Sequence, residues 1–538
     1  MTSGATAGAT AGAIAGAGRV LLRGGRLFTG TVDRANDRVD SAMFVVDGTI
    51  TWIGSDDGAE TYVDQSDEVI DLDASLVTPA FVDAHVHTTT TGLALTGLDL
   101  SDTTSLAQML DRLEAFCRSQ RGHHVLGHGW DETRWPEGRP PTRLEVDRAS
   151  YGGVVYLTRV DVHSAVASSA LLAALPEVKA LDGYDDSGVL RREAHHAARA
   201  AALDTITAGQ REAAVRATFT RAAQLGIGAL HELGGPDISG AEDFSSVLAL
   251  AETGPYPEVI GYWGQLDGVA SARALGARGA AGDLFADGAL GSHTACLRRD
   301  YVDQPHAGAG YLRADEVRDH VISCTNADLQ AGFHVIGDGA LDAVAAGFRQ
   351  AADALGANTV RRARHRLEHV EMIDTNHMDL FAQLGVVASV QPGFDALWGG
   401  PDGMYVNRLG AERAASMNPF ATMRARGMAL AFGSDAPVTP LDPWGGVRAA
   451  VLHHRSDQRL DTATAFAAHT VGGWSAARID DQGWLAPGLA ATYAVWSPPE
   501  RGGSLAATGL PDLAEGAPTP QCRRTVVRGQ TIFAFEGC

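Results

Sequence analysis

VTPAFVDAHVH, residues 77–87, runs apolar until it closes on two histidines spaced two apart. A short apolar run of this kind fits a strand covered on both faces, as in parallel sheets. Side chains two apart on a strand point the same way, so His85 and His87 present two imidazoles on one face. Seven more runs of the same texture follow: IGALHEL (227–233), VIGYWGQ (259–265), GDLFADG (282–288), GFHVIGD (332–338), RHRLEHV (364–370), VVASVQP (386–392) and ALAFGSD (429–435). Between most of them lie amphipathic stretches such as ADEVRDHVISCTNADLQAG (314–332) and GALDAVAAGFRQAADALG (339–356). Eight strand–helix repeats predict an α/β fold closed as a (β/α)8 barrel of the TIM type. The competing architecture, an open doubly wound sheet, normally carries a glycine-rich phosphate turn after an early strand. Neither GxGxxG nor GxxxxGK[ST] stands at such a place.

Outward from the barrel, the texture changes at both ends. Residues 1–18 (MTSGATAGATAGAIAGAG) have neither the basic start nor the continuous apolar core of a signal peptide and read as a flexible tail. Residues 19–74 read as short strands with turns, and ATYAVWS (491–497) and RRTVVRGQTIFAF (523–535) repeat that pattern. Neither piece closes a good sheet alone. The expectation is a composite β-sandwich domain built from 19–74 and 484–538, with the barrel spanning 75–483. The long gap between the first two barrel strands, about 100–220, holds its own strands (HHVLGHGW, GVVYLTRV) and a helix (SLAQMLDRLEAFCRSQ). Structureless loops of that size are uncommon, so an inserted α+β subdomain over the barrel mouth is expected.

Composition narrows the function. The 538 residues carry 43 basic and 65 acidic side chains, a formal charge of −22, with 45% hydrophobic residues. Such a balance supports a large core and argues against nucleic acid or an anionic membrane as partner. Five scattered cysteines without a CxxC pair fit a reducing, cytoplasmic setting. A small-molecule substrate is the expected partner, and a homodimer is compatible with this size.

Polar residues gather at the C-terminal ends of the apolar runs: His85 and His87 on the first, His231 and Glu232 on the second, Asp283 and Asp287 on the fourth, His334 on the fifth, Glu368 and His369 on the sixth, Gln391 on the seventh and Asp435 on the eighth. In a barrel these ends converge on the mouth, where active sites lie. One HxH among 19 histidines carries little weight alone. Several metal-competent groups buried together without partners would each cost roughly 2–7 kcal/mol, which a divalent cation, most readily Zn2+, removes. A serine mechanism is a poor rival, because GSD at 433–435 lacks the GxSxG elbow. The His195–His196 pair lies in an Arg-rich helical stretch and reads as solvated surface.

PAFVDAHVH resembles the PGFxDxHxH strand of the metal-dependent amidohydrolase superfamily. DGALGSHTA, FHVIGDGALDAV, RHRLEHV, ASVQP, GSDAPVTPLDPWGGVRAAV and GWLAPGLAATYAVW continue the likeness along nearly the whole chain. The series resembles the branch that includes N-substituted formamide deformylases (amidohydrolase family 3). The resemblance implies His85, His87, His334 and His369 as metal ligands, with Asp435 holding the metal or its water and moving the proton. His369 is implied as a second catalytic group that polarises the carbonyl. His163, Glu193, Asp287, His293 and Gln391 are expected to face substrate. One departure stands out: the branch commonly has a lysine at the start of the strand-four motif, able to bridge two metals when carboxylated, and here that position is Asp283. The only lysine, Lys179, lies in the insert. Either Asp283 supplies a bridging carboxylate directly or the site holds one metal; one firmly bound ion with room for a weaker second is expected, and Asp287 is the competing candidate. The implied activity is hydrolysis of a non-peptide C–N bond by metal-activated water. A deaminase or cyclic-amide hydrolase of the same superfamily, and an inactive metal-binding barrel, stay open as alternatives.

Overall fold

Eight parallel strands follow one another in chain order around a cylinder: β1 (Phe81–Val86), β2 (Ile227–Gly234), β3 (Glu258–Trp263), β4 (Gly279–Ala280), β5 (Gln330–Val335), β6 (Arg366–His369), β7 (Val387–Val390) and β8 (Ala429–Phe432). The computed structural model describes residues 18–30, 40–119, 124–498 and 509–535. All but Gly18 of the expected flexible tail lies outside them. The cylinder closes just beyond β8, where Val86 bridges Ala436, Asp435 N–H donates to His85 O at 2.8 Å and His87 N–H donates to Ala436 O at 3.0 Å. Gly433 makes that seam possible, because a Cβ there would stand 2.5 Å from the backbone nitrogen of His85.

β1, β2 and β5 are buried from end to end, which is why strands of this barrel read as near-continuous apolar runs. The helix Asp338–Leu355 shows how the outer ring attaches: Leu341, Val344, Ala345, Phe348 and Ala351 are buried at helical spacing. The fourth strand differs from expectation. Its ladder covers only Gly279–Ala280, and the GDLFADG segment departs from it at Gly282, which takes φ +91°. Beyond that turn His334 N–H donates to Leu284 O, and Ala286 N–H to His334 O. The segment thus stays beside β5 as an irregular edge.

The two ends of the chain form two packed sheets. Thr49–Gly54, Ala42–Val46, Arg19–Arg23 and Glu68–Asp71 make the first, in that order. The second is mixed, with Leu76–Pro79 pairing antiparallel to Tyr493–Trp496, which in turn pairs with Cys522–Val527. Leu22, Met43 and Ile50 from the first meet Val77, Tyr493 and Val526 from the second in one apolar layer. The expected insert forms a five-stranded sheet whose edge strand, Leu98–Asp99, begins just before residue 100, with Val125–Trp130 and Val155–Arg159 parallel within it. Among the described residues the four cysteines are unbridged, and no helix is long and apolar enough to cross a membrane.

The barrel carries a buried histidine fixed in one neutral form. His365 Nδ1 accepts from Ala331 N–H at 2.8 Å, and its Nε2 lies 2.9 Å from the Thr325 hydroxyl, whose own hydrogen goes to Val321 O. Burial pushes its pKa down to about 3, and that of His469, which faces Val82 O, to about 4. Both take up a proton near pH 6.5 once unfolded, so the unfolded chain binds more protons below that value. Stability is therefore full above about pH 6.5 and falls as the pH drops from there toward 4 and 3. Replacing His365 by Asn should flatten this slope in unfolding measured across that range.

Candidate metal centre

Strand alternation brings His85 and His87 to the mouth as the sequence requires, and the turn at Gly282 carries Asp283 across to meet them. His87 Nε2 lies 3.1 Å from Asp283 Oδ2 and 3.3 Å from Asp435 Oδ1. His85 Nε2 lies 3.3 Å from Asp435 Oδ1 and 3.5 Å from Asp283 Oδ1, and His369 Nε2 is 3.7 Å from that same Asp283 oxygen. All five residues are buried. The remaining nitrogen of each imidazole is engaged behind the centre: His85 Nδ1 with Glu368 Oε2 at 2.9 Å, His87 Nδ1 with Leu233 O at 2.9 Å, His369 Nδ1 with Gln391 Oε1 at 2.8 Å. Each acceptor places the ring hydrogen on Nδ1 and leaves the Nε2 lone pair aimed inward, the arrangement metal-binding histidines adopt.

His85 Nε2, Asp283 Oδ1 and Asp435 Oδ1 are buried and have no hydrogen-bond partner. Three such groups converging in one place fit a divalent cation, whose ligands are neutral imidazole and ionised carboxylate. Burial opposes charge on every group here. The two carboxylates nevertheless draw His85 and His87 toward protonation, His87 up to about 10, and the imidazoles hold Asp283 and Asp435 well below the ordinary carboxylate range. His369 (φ +71°) and Asp435 (φ +56°) hold left-handed backbone, uncommon for residues with a side chain. Strain of that kind persists only where the surroundings fix the geometry.

Behind His85 stands Arg366, with no exposed surface. Its Nε donates to Glu368 Oε1 at 2.5 Å, and Nη2 donates to Ala84 O, Ser389 Oγ and Glu368 Oε2. Nη1 reaches His231 Nδ1 at 3.0 Å, and the guanidinium lies over the Tyr262 ring. Burial works against the Glu368 carboxylate, yet the charge of Arg366 holds it down to about 2. The expected strand-two pair is structural: His231 faces Arg366, and Glu232 accepts from Thr88 N–H at 2.8 Å.

The other expected site residues divide. His334 packs its ring 4.5 Å from that of His369, lines the same cavity and has a buried Nδ1 without a hydrogen-bond partner among the described residues, but it stands outside the two close donor groups gathered at this place, His85–Asp283–His369 and His85–His87–Asp435. His163 comes down from the insert to the cavity wall, 5.0 Å ring to ring from His334. Gln391 holds His369 from behind. Asp287 is turned away: its carboxylate accepts from the N–H groups of Cys296, Ile336 and Gly337, tying the strand-four loop to the start of the Asp338–Leu355 helix. His293 is paired with Asp303 at 3.0 Å. Glu193 is exposed in the first turn of the helix Arg192–Asp204, where a carboxylate complements the helix dipole.

That helix also corrects the reading of His195 and His196 as solvated surface. His195 is buried, its Nδ1 3.2 Å from the Tyr156 hydroxyl. His196, Arg199 and Leu203, at helical spacing, line the cavity above the centre. The cavity is open at its mouth. Asp435, His163, His334 and His369 line both it and a smaller adjoining chamber.

Comparison with known proteins agrees with this arrangement. The chain is 24% identical over 443 residues to the N-substituted formamide deformylase of Arthrobacter pascens, covering 77% of this chain and 80% of that one. It is 26% identical over 529 residues to the protein LONG AFTER FAR-RED 3 of Arabidopsis thaliana, covering 89% and 87%. The fold matches an uncharacterised metal-dependent hydrolase from Pyrococcus horikoshii OT3 with a TM-score of 0.70 at 24% identity, over 89% of this chain and 97% of that one. The family model described as the amidohydrolase family matches residues 68–533. A barrel whose seam assembles buried imidazoles and carboxylates, together with that match, makes this chain a hydrolase belonging to the amidohydrolase family.

Proposed function

We propose that the chain hydrolyses a non-peptide carbon–nitrogen bond, of amide or formamide type, in a small molecule, using one bound divalent cation, Zn2+ by its ligand chemistry. The observation that carries the reading is the set of unpartnered donors, His85 Nε2, Asp283 Oδ1 and Asp435 Oδ1, at the floor of a cavity open at its mouth. A cation held by His85, His87, His369 and the two carboxylates supplies Lewis acidity, which acidifies water and polarises a carbonyl oxygen.

The chain's own residues do the rest. Both close donor groups use His85, whose Nδ1 is committed to Glu368, so they share a single Nε2 and describe one ion rather than two. Asp283 stands where the resemblance implies a lysine, and its carboxylate reaches His85, His87 and His369 directly. Asp435 is the acid–base group: it lies at the seam, lines both chambers, and can take a proton from water and return it to the departing nitrogen. His163 is held near pKa 4 by burial, reinforced by Arg199 and His369, and is therefore a neutral hydrogen-bonding group beside the substrate at neutral pH.

The test is chelation. Dialysis against a strong chelator should abolish turnover of a panel of N-substituted formamides and simple amides, and one equivalent of Zn2+ per chain should restore it. Zinc bound at one per chain with no turnover of formamide, amide or cyclic amide would instead indicate a binding barrel without this activity.

A further inference from the structure

The cavity has a second pole. Its walls above the metal centre are mainly apolar, with Leu126, Tyr156 and Phe285 among them, and the histidines there are held neutral: burial keeps His196 near pKa 3 and His163 near 4. Arg199 is the exception. Arg199 is half-buried, and among the described residues no carboxylate stands within ion-pair distance of its guanidinium, whereas the buried guanidiniums of Arg159, Arg366 and Arg408 are matched to acids. Its partners are neutral: Nη2 meets Val162 O and His195 Nε2, and Nη1 makes only a long 3.4 Å contact to Asp237 O. The helix Arg192–Asp204 therefore delivers a permanent cation to a largely neutral wall, flanked on its own face by His196 and Leu203. Arg199 lines the cavity beside His196 and Leu203, so its charge faces whatever occupies the space above the metal centre.

An unmatched cation in a partly dry cavity attracts an anion, and a charge-assisted hydrogen bond to it is worth more than a neutral one. We propose that Arg199 is a specificity-determining residue that binds a carboxylate on the substrate. The preferred substrates are then amides or formamides with an apolar body and an acidic group remote from the scissile bond. The apolar wall seats the body between the two poles. This rests on the hydrolase reading above and narrows its substrate class.

The zinc-loaded enzyme is assayed with paired amides that differ only in carrying a free carboxylate or its methyl ester. The expected result is a kcat/KM ratio favouring the acid by about 10- to 100-fold, the strength of a hydrogen bond to a charged group. In Arg199→Gln that ratio should fall toward one, mainly through KM, and Arg199→Lys should restore part of it. Equal losses on acid and ester, or no preference in the native enzyme, would overturn the assignment and reduce Arg199 to a tether for Val162. Phenylacetate binding, measured calorimetrically on the same proteins, separates this from the reading beneath it. Arg199-dependent binding without turnover of any amide keeps the subsite and removes the C–N hydrolase. Amide turnover with binding indifferent to Arg199 removes the subsite alone.

Discussion

Asp435→Asn should lower kcat about a thousandfold while leaving the cation in place, within the 10²–10⁴ that positioned acid–base groups contribute. The substitution keeps the size of the side chain and its amide oxygen but removes the ability to accept and return a proton. Asparagine also tolerates the left-handed backbone that Asp435 adopts, which alanine would not, so the seam hydrogen bond from residue 435 N–H to His85 O survives. His85, His87, His369 and Asp283 remain to hold the ion. Steady-state kinetics with elemental analysis of the same sample checks both halves. Turnover within tenfold of the native enzyme would remove Asp435 from proton transfer, and loss of the ion would assign it chiefly to binding.

Arg366→Met should destabilise the protein by about 3–5 kcal/mol, the usual effect of breaking a fully buried ion pair from one side. Methionine fills much of the volume but leaves the Glu368 carboxylate in the barrel without its cation, and takes one donor each from Ala84 O and Ser389 Oγ. Glu368 would lose the charge that holds it down to about 2, take up a proton more readily, and grip His85 Nδ1–H less firmly. Zinc affinity should therefore fall about 10- to 100-fold, as it does when the outer partners of metal ligands are removed. Thermal unfolding of the metal-free protein and a zinc competition titration measure the two effects separately. Arg366→Met combined with Glu368→Leu should recover much of the stability but not the zinc affinity. A single variant as stable as the native protein would show that the pair contributes nothing net.

The barrel was legible because strands such as Phe81–Val86, Ile227–Gly234 and Gln330–Val335 are buried on both faces and read as largely apolar runs, with helices of plain 3.6-residue period between most of them. The centre was legible where the ligands sit on regular strands: alternation alone aligns His85 with His87. The fourth strand was misplaced because an apolar run says nothing about where a ladder stops, and Gly282 breaks it before Asp283 rather than after. Asp287 looked equivalent to Asp283 under strict alternation, which the turn removes. The insert hid the most. His196 and Arg199 face the cavity only because a helix some 110 residues from His85 folds back over the mouth, and nothing local marks them.

The join between the first and last strands has a consequence for assembly. Ser434 N–H donates to Asp83 Oδ1 across 351 residues of chain, and His85 and Asp435 face each other across that join. A polypeptide that stops before its eighth strand has His85 and His87 but no Asp435 to set opposite them, so the candidate centre assembles only once residues far apart in the chain have met.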